Sequence, residues 1–358
     1  MNNVIISGGG TGGHIFPAIA IANEIKRRFP DCKIHFVGAI GRMEMEKIPL
    51  AGYTISGLPI IGFQRGKWWK NLSLPIKILK SFWISKKILD IYKPQVVIGV
   101  GGYASAAIVK AAQLKKIPTF IQEQNSYAGI TNKILGKKAI KICVAFDDMN
   151  HFFTQNKIIN TGNPIRNEIL NCTLSKNELA LKYNLDVQKT TILAIGGSLG
   201  ARSINQAIEN SAKKLLEMNF NIIWQTGKNY APTITLPNIY TKTFINEMNE
   251  VYKLADIIIS RAGAISISEL CCVAKPTILV PSPNVAEDHQ TKNASALENK
   301  NACIILKDNQ LTNMLLESIL SISNDKIKAA QLAKNMLSLA KPNAAQHIVD
   351  VIIENLPK

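Results

Sequence analysis

Two stretches of the sequence place glycines beside a hydroxyl or imidazole side chain in a pattern suited to holding a phosphate. They are Ser7-Gly8-Gly9-Gly10-Thr11-Gly12-Gly13-His14 and Gly196-Gly197-Ser198-Leu199-Gly200. Each follows an apolar, β-branched run and precedes a helical pattern. A loop in that position gathers free backbone N–H groups and the positive end of a helix dipole at one point, so an anion can be held without a cationic side chain. Glycine lets the backbone come close to a phosphate.

Gly8, Gly10 and Gly13 match the dinucleotide fingerprint literally. That reading also needs an acidic residue at the end of the second strand, to bind a ribose hydroxyl. The strand, residues 33–37, runs instead into Gly38-Ala39-Ile40-Gly41-Arg42, and Asp31 lies before it. A nicotinamide or flavin oxidoreductase is therefore disfavoured. His14 stands where such a loop expects a small residue. At a helix N-terminus the dipole disfavours the charged ring, so a neutral imidazole there could take a proton from a substrate hydroxyl; the alternative is a hydrogen bonder that only caps the helix.

The other histidines, His35, His151, His289 and His347, show no metal-site spacing. The chain contains no Asp-x-Asp to bridge a divalent ion to a diphosphate, and no P-loop signature. A nucleotide diphosphate would have to be neutralised by dipoles, backbone N–H groups and side chains such as Ser198, Arg166 or Arg261. No metal and no other cofactor is expected.

These loops need parallel strands behind them. Val4-Ile5-Ile6 leads into the first loop and a helix over residues 15–28. Residues 96–100 lead into Gly101-Gly102 and a small-residue helix over 104–114, and residues 191–195 lead into the other glycine loop and a helix over 204–217. Alternating strands and helices of this kind make an α/β fold with parallel sheets, and the likeness of two units in opposite halves of the chain predicts two Rossmann-like domains in tandem. At 358 residues and 47% hydrophobic, the chain is too long for one core. The turn residues 160–164 suggest a linker, with a helical pattern opening at 165–170. The expected division is residues 1–163, residues 164–343, and a final amphipathic helix within 344–358 that packs back toward the first domain.

The charge is uneven. A formal net charge of +17 arises from 42 basic and 25 acidic residues, and 22 of the basic but only 8 of the acidic ones precede Ile165. Between Gly62 and Lys93 lie eight Lys or Arg, one acid (Asp90), and Trp68, Trp69 and Trp83, three of the four tryptophans. A helix from Pro75 to Tyr92 would set Ile76, Leu79, Phe82, Trp83 and Ile84 over one broad face, with Lys77 and Lys80 beside it. Tryptophan favours the headgroup level of a bilayer and lysine attracts anionic lipid, which makes an anionic membrane surface the expected partner of this segment; the competing reading is a helix packed on its own domain. Nucleic acid is disfavoured, as no binding module is recognisable. No stretch suits a bilayer span or a signal peptide, and six cysteines without a C-x-x-C pair suggest a reducing cytosol.

Seven motifs occur in order: Gly9-Gly10-Thr11-Gly12-Gly13-His14-x-x-Pro17-Ala18; Gly101-Gly102-Tyr103; Glu123-Gln124-Asn125; Gly162-Asn163-Pro164-x-Arg166; Gly196-Gly197-Ser198-x-Gly200-Ala201-Arg202; Ser260-Arg261-x-Gly263-Ala264 with Glu269; and Gln290-x-x-Asn293-Ala294. Over nearly the whole chain this resembles the MurG family of GT-B glycosyltransferases. The resemblance implies two Rossmann-like domains with a cleft between them and a metal-independent, inverting transfer of GlcNAc from UDP-GlcNAc. The acceptor would be the C4 hydroxyl of MurNAc in lipid I, and the product lipid II for peptidoglycan synthesis.

The same resemblance implies roles by position. Ser198 and Arg166 would contact the donor diphosphate, Ile245 would hydrogen-bond uracil through its backbone, Glu269 would hold the ribose hydroxyls and Gln290 would read the sugar. Ala264, Ile265, Ser266, Ile267 and Ser268 would begin a helix whose dipole faces the phosphates. Thr11, Gly12, Gly13 and Asn125 would line the cleft, with His14 and Tyr103 near the acceptor and His14 the candidate base. The expected place is peripheral, on the cytoplasmic face of the inner membrane, with room for other cell-wall synthesis proteins as partners. Leu199 stands where many relatives place Gln, and His289-Gln290 where a glutamine pair is usual. A diacylglycerol glycosyltransferase of the same class and a non-catalytic nucleotide-binding protein at the membrane surface are the alternatives.

Overall fold

The computed structural model describes residues 1–60, 74–197 and 199–357. The chain forms two compact units, one of Met1–Ile165 with Asn343–Lys358 and one of Arg166–Pro342. The division after Ile165 lies two residues beyond the one expected after residue 163. The helical pattern at 165–170 becomes a short 3₁₀ turn, Asn167–Leu170, instead of an α-helix.

The first unit is built on a seven-stranded, all-parallel sheet. Its strands are β1 (Asn3–Gly8), β2 (Lys33–Ala39), β3 (Thr54–Leu58), β4 (Val96–Gly101), β5 (Thr119–Glu123), β6 (Lys141–Val144) and β7 (Ile158–Asn160), in the order β3-β2-β1-β4-β5-β6-β7. Side chains alternate across the sheet. Val4 and Ile6 meet Ile15, Ala18 and Ile21 of α1 (Gly12–Arg28) on one face, together with Ile348, Val349 and Ile352 of the last helix, α13 (Ala344–Asn355). Ile5 faces the other way, where α3 (Leu74–Tyr92), α4 (Tyr103–Leu114) and α5 (Ile130–Gly136) supply Ile88, Leu89, Ile108 and Leu135. Arg28 ties α1 to α13, pairing with Asp350 and donating to the Gln346 carbonyl at 3.2 Å. A short helix, α2 (Glu44–Leu50), follows β2.

The second unit repeats the plan with six parallel strands: β8 (Thr190–Ile195), β9 (Phe220–Gln225), β10 (Ile239–Lys242), β11 (Ile257–Ser260), β12 (Thr277–Leu279) and β13 (Ile304–Ile305), in the order β10-β9-β8-β11-β12-β13. Ile192, Ala194, Ile222 and Ile259 pack on α7 (Arg202–Glu217) and α11 (Leu311–Ser323). In each sheet the order reverses beside the first strand, between β1 and β4 and between β8 and β11. In an open parallel sheet that switch point, at the carboxyl ends of the strands, is where ligands bind.

Helix α3 departs from the expected single apolar face. Phe82 and Ile84 are half-buried against the core, whereas Ile76 (70% exposed), Leu79 (61%) and Trp83 (64%) face solvent. The side turned inward carries Ser81 and Ser85, both fully buried. Small residues at the packed side let α3 lie close to α4, and the large apolar residues, at i, i+3 and i+7, remain outside. The Lys86 ammonium lies over the Trp83 ring, 5.4 Å from its centroid. Trp68 and Trp69 lie outside the described residues.

Candidate functional site

In the first unit the switch point is formed by the loop after β1 and by Gly101-Gly102 at the end of β4. Gly9 N–H donates to the Gly101 carbonyl at 3.3 Å, joining the two. Thr11 is the N-cap of α1 but makes no side-chain cap; His14, two residues into the helix, has Nδ1 2.9 Å from the Gly9 carbonyl oxygen. A carbonyl oxygen only accepts, so Nδ1 donates, and in the neutral ring Nε2 carries the lone pair. The ring edge lies on Gly101: a Cβ there would be 2.8 Å from Nε2. Gly101 has φ +107°, a second reason for glycine. Thr11 and Gly13 are exposed, Gly12 and Asn125 are partly so, and Tyr103 is 52% exposed at the start of α4.

Glu123 has a different part from its neighbour Asn125. Its carboxylate is buried and accepts from Asn125 N–H (3.1 Å), Gly129 N–H (3.1 Å) and Asn132 Nδ2 (2.8 Å), so it shapes the loop that presents Asn125. Gln124 donates to the Val100 carbonyl at 2.7 Å, tying that loop to β4.

In the second unit α9 (Ala264–Val273) follows β11 after a three-residue loop, with Gly263 as its N-cap. Ala264 and Ile267 are buried, and Ile265, Ser266 and Ser268 are partly exposed. Ser268 donates to the Ala264 carbonyl at 3.0 Å. On the same helix Glu269 is 7% exposed and accepts from Arg166 Nε at 3.3 Å. Burial pushes its carboxyl above the ordinary carboxylate range, and the Arg166 guanidinium partly offsets this. Gln290, near the start of α10 (His289–Glu298), accepts from Ser282 N–H at 2.9 Å. Ile245 is buried, and its N–H donates to Gln225 Oε1 at 2.9 Å. Hydrogen bonding to a base at Ile245 therefore falls to its carbonyl, or requires Gln225 to turn. Ser198 lies outside the described residues.

One expectation is overturned. Arg261 is not available to a diphosphate: it pairs with Asp308 and donates to Ser203 Oγ at 2.9 Å and to the Val280 carbonyl at 3.1 Å. Glu44, which pattern reading passed over, is fully buried against the first glycine loop. Its only sequence signal is an acid opening a helix just after the glycine-containing end of β2. Leu199 is 73% exposed and His289 partly buried.

The second glycine loop is fixed by a close approach of two backbones. A Cβ on Gly200 would lie 2.0 Å from the Thr226 carbonyl oxygen, at φ +78°, whereas one on Gly197, at φ +80°, would meet nothing within 4 Å. Gly197→Ala is expected to cost about 1–2 kcal/mol, the left-handed penalty alone. Gly200→Ala adds a backbone clash and should cost roughly 3 kcal/mol or more. Thermal melting of the two variants checks this, and equal midpoints would contradict it.

Among the described residues no group of three or more His, Cys, Asp or Glu is placed to hold a metal ion, and no helix is long and apolar enough to cross a membrane.

Comparison with known proteins places these features. Residues 4–144 match the model of the glycosyltransferase family 28 N-terminal domain and residues 191–348 that of its C-terminal domain. A Flavobacterium psychrophilum protein named UDP-N-acetylglucosamine--N-acetylmuramyl-(pentapeptide) pyrophosphoryl-undecaprenol N-acetylglucosamine transferase is 53% identical, over 98% of this chain and 96% of its own. A Bacteroides thetaiotaomicron protein of the same name is 50% identical over 98% and 97%. The crystal structure of Acinetobacter baumannii MurG superposes with a TM-score of 0.79 at 28% identity, covering 99% of this chain and all of that one.

Proposed function

The chain belongs to glycosyltransferase family 28 and, within it, to the MurG family, and from that premise we propose that it transfers GlcNAc from UDP-GlcNAc to the C4 hydroxyl of MurNAc in lipid I, forming lipid II. The observation that carries this reading is the coincidence, on one helix, of an N-terminus at the switch point of the sheet and a buried carboxylate. The first turn of α9 offers backbone N–H groups to a diphosphate, and Glu269 on the same helix offers oxygen atoms to ribose hydroxyls. Arg166, already at Glu269, supplies positive charge beside them.

Donor binding is assigned to the unit carrying Glu269 and acceptor binding to the unit carrying His14. His14 Nε2 accepts the proton of the C4 hydroxyl as its oxygen attacks the anomeric carbon and the bond to UDP breaks. The leaving diphosphate is stabilised by helix N-termini, with inversion at the sugar. Thr11, Gly12, Gly13, Tyr103 and Asn125 would line the acceptor side; Ser198, Ile245 and Gln290 would complete the donor side. No metal enters this scheme. Transfer of radiolabelled GlcNAc to a lipid I analogue, with and without EDTA, tests it: no transfer overturns the activity, and transfer abolished by EDTA overturns the metal-free scheme.

The acceptor is a polyprenyl diphosphate, so the enzyme must work at a bilayer. The outward stripe of Ile76, Leu79 and Trp83 on α3, with Lys77 and Lys80 beside it, is suited to lie in the anionic interface on the cytoplasmic side. Each lysine is worth about 1 kcal/mol at such a surface, so Lys77→Glu with Lys80→Glu should weaken binding to phosphatidylglycerol vesicles by more than about tenfold. Co-sedimentation insensitive both to anionic lipid and to these changes would sink the assignment.

A further inference from the structure

We propose that Glu44 is a positioning residue for His14, acting through the single peptide group that joins Gly9 to Gly10. The proposal rests on the reading of His14 as the base. Glu44 opens α2 and is completely buried. Its Oε2 accepts from Gly10 N–H at 2.9 Å and its Oε1 from Ala39 N–H at 3.0 Å. On the far side of the same peptide group, the Gly9 carbonyl oxygen accepts from His14 Nδ1 at 2.9 Å. The peptide is trans, so its C=O and N–H point in opposite directions, and a group that fixes one fixes the other. Carboxylate, peptide and imidazole thus form one chain of hydrogen bonds.

The chain has a chemical direction. Both carboxylate oxygens accept from backbone N–H groups, the bonding an ionised carboxylate satisfies and a neutral amide cannot. Negative charge at the Gly10 N–H polarises the peptide and strengthens its carbonyl as an acceptor. The His14 proton is thereby held on Nδ1, and the lone pair stays on Nε2, the atom that must receive the acceptor's proton. In serine hydrolases a carboxylate does this for an imidazole by direct contact; here a peptide group stands between them.

The surrounding glycines fit this purpose. A Cβ on Gly9 would lie 2.2 Å from Glu44 Oε1, and one on Gly38 would lie 2.6 Å from Glu44 Cγ, so both positions leave room for the carboxylate. A Cβ on Gly102 would lie 2.5 Å from the Gly9 carbonyl oxygen, so that position must also be bare for the peptide to stay where it is.

The test is Glu44→Gln in the full chain, with imidazole nitrogens labelled with nitrogen-15 and His14, one of five histidines, identified by its loss in His14→Gln. The unmodified protein is expected to show His14 in the Nδ1–H form, and the opposite tautomer there overturns the proposal without any variant at Glu44. In Glu44→Gln the amide opposes a donor to one of the two backbone N–H groups. The expected result is a mixed tautomer and a kcat lower by about 10- to 100-fold at unchanged KM for UDP-GlcNAc, a share of what a general base contributes. In a His14→Ala background the same change should alter kcat less than about twofold, because its effect passes through the ring. A folded Glu44→Gln protein that keeps the Nδ1–H form and full kcat, or losses that multiply in the double variant, overturns the proposal. Absence of GlcNAc transfer by the unmodified protein would refute the functional reading instead, and the tautomer measurement would still decide the link between Glu44 and His14.

Discussion

His14→Ala is expected to lower kcat for GlcNAc transfer by roughly 10²- to 10⁴-fold, the range a positioned general base supplies, while KM for UDP-GlcNAc stays near its original value. The split between the two constants follows from the architecture, since the donor groups Glu269 and Arg166 lie in the other structural unit. The geometry assigns His14 one role. Nδ1 is committed to the Gly9 carbonyl at 2.9 Å, which leaves Nε2 as the proton acceptor, set against the bare backbone of Gly101. Steady-state kinetics with a lipid I analogue and varied donor would check this. Near-normal kcat in the variant would mean that His14 only braces the glycine loop, the capping alternative open from the sequence.

What could be read from the sequence followed the range of the interaction concerned. Strands buried on both faces read as unbroken β-branched runs, as in Val4-Ile5-Ile6 and Ile257-Ile258-Ile259, and the glycine loops after them mark the switch points. That was enough for two parallel α/β units and for the placement of His14 at a helix start; Glu269 sits further along, in the second turn of α9. Features set by distant partners were hidden. Arg261 looked available to a diphosphate because its acid, Asp308, is 47 residues away, and Glu44 looked ordinary because Gly10 is 34 residues before it. The outward stripe of α3 is hidden for a related reason: hydrophobicity marks Phe82, Ile84 and Trp83 alike, while the buried serines at 81 and 85 decide which side packs. A helical pattern at 165–170 gave only a 3₁₀ turn, with Arg166 at its N-cap reaching Glu269.

Glu269→Gln should raise KM for UDP-GlcNAc by about 10- to 100-fold, since a hydrogen bond to a charged acceptor is worth about 1.5–3 kcal/mol and the amide keeps only one acceptor oxygen. It also leaves the Arg166 guanidinium without its carboxylate. The pH dependence gives a sharper test. Only the ionised carboxylate accepts both ribose hydroxyls, and that form exists above its titration point. Burial has moved that point upward, so KM should begin to climb on acidification at a less acidic pH than an ordinary glutamate would allow. The Gln variant has no such limb, and its KM should be flat with respect to this group. Arg166→Ala removes the charge that opposes the upward shift, so the limb should move to still higher pH. An unchanged KM in Glu269→Gln, measured by initial rates across the acid range, would remove Glu269 from the donor site.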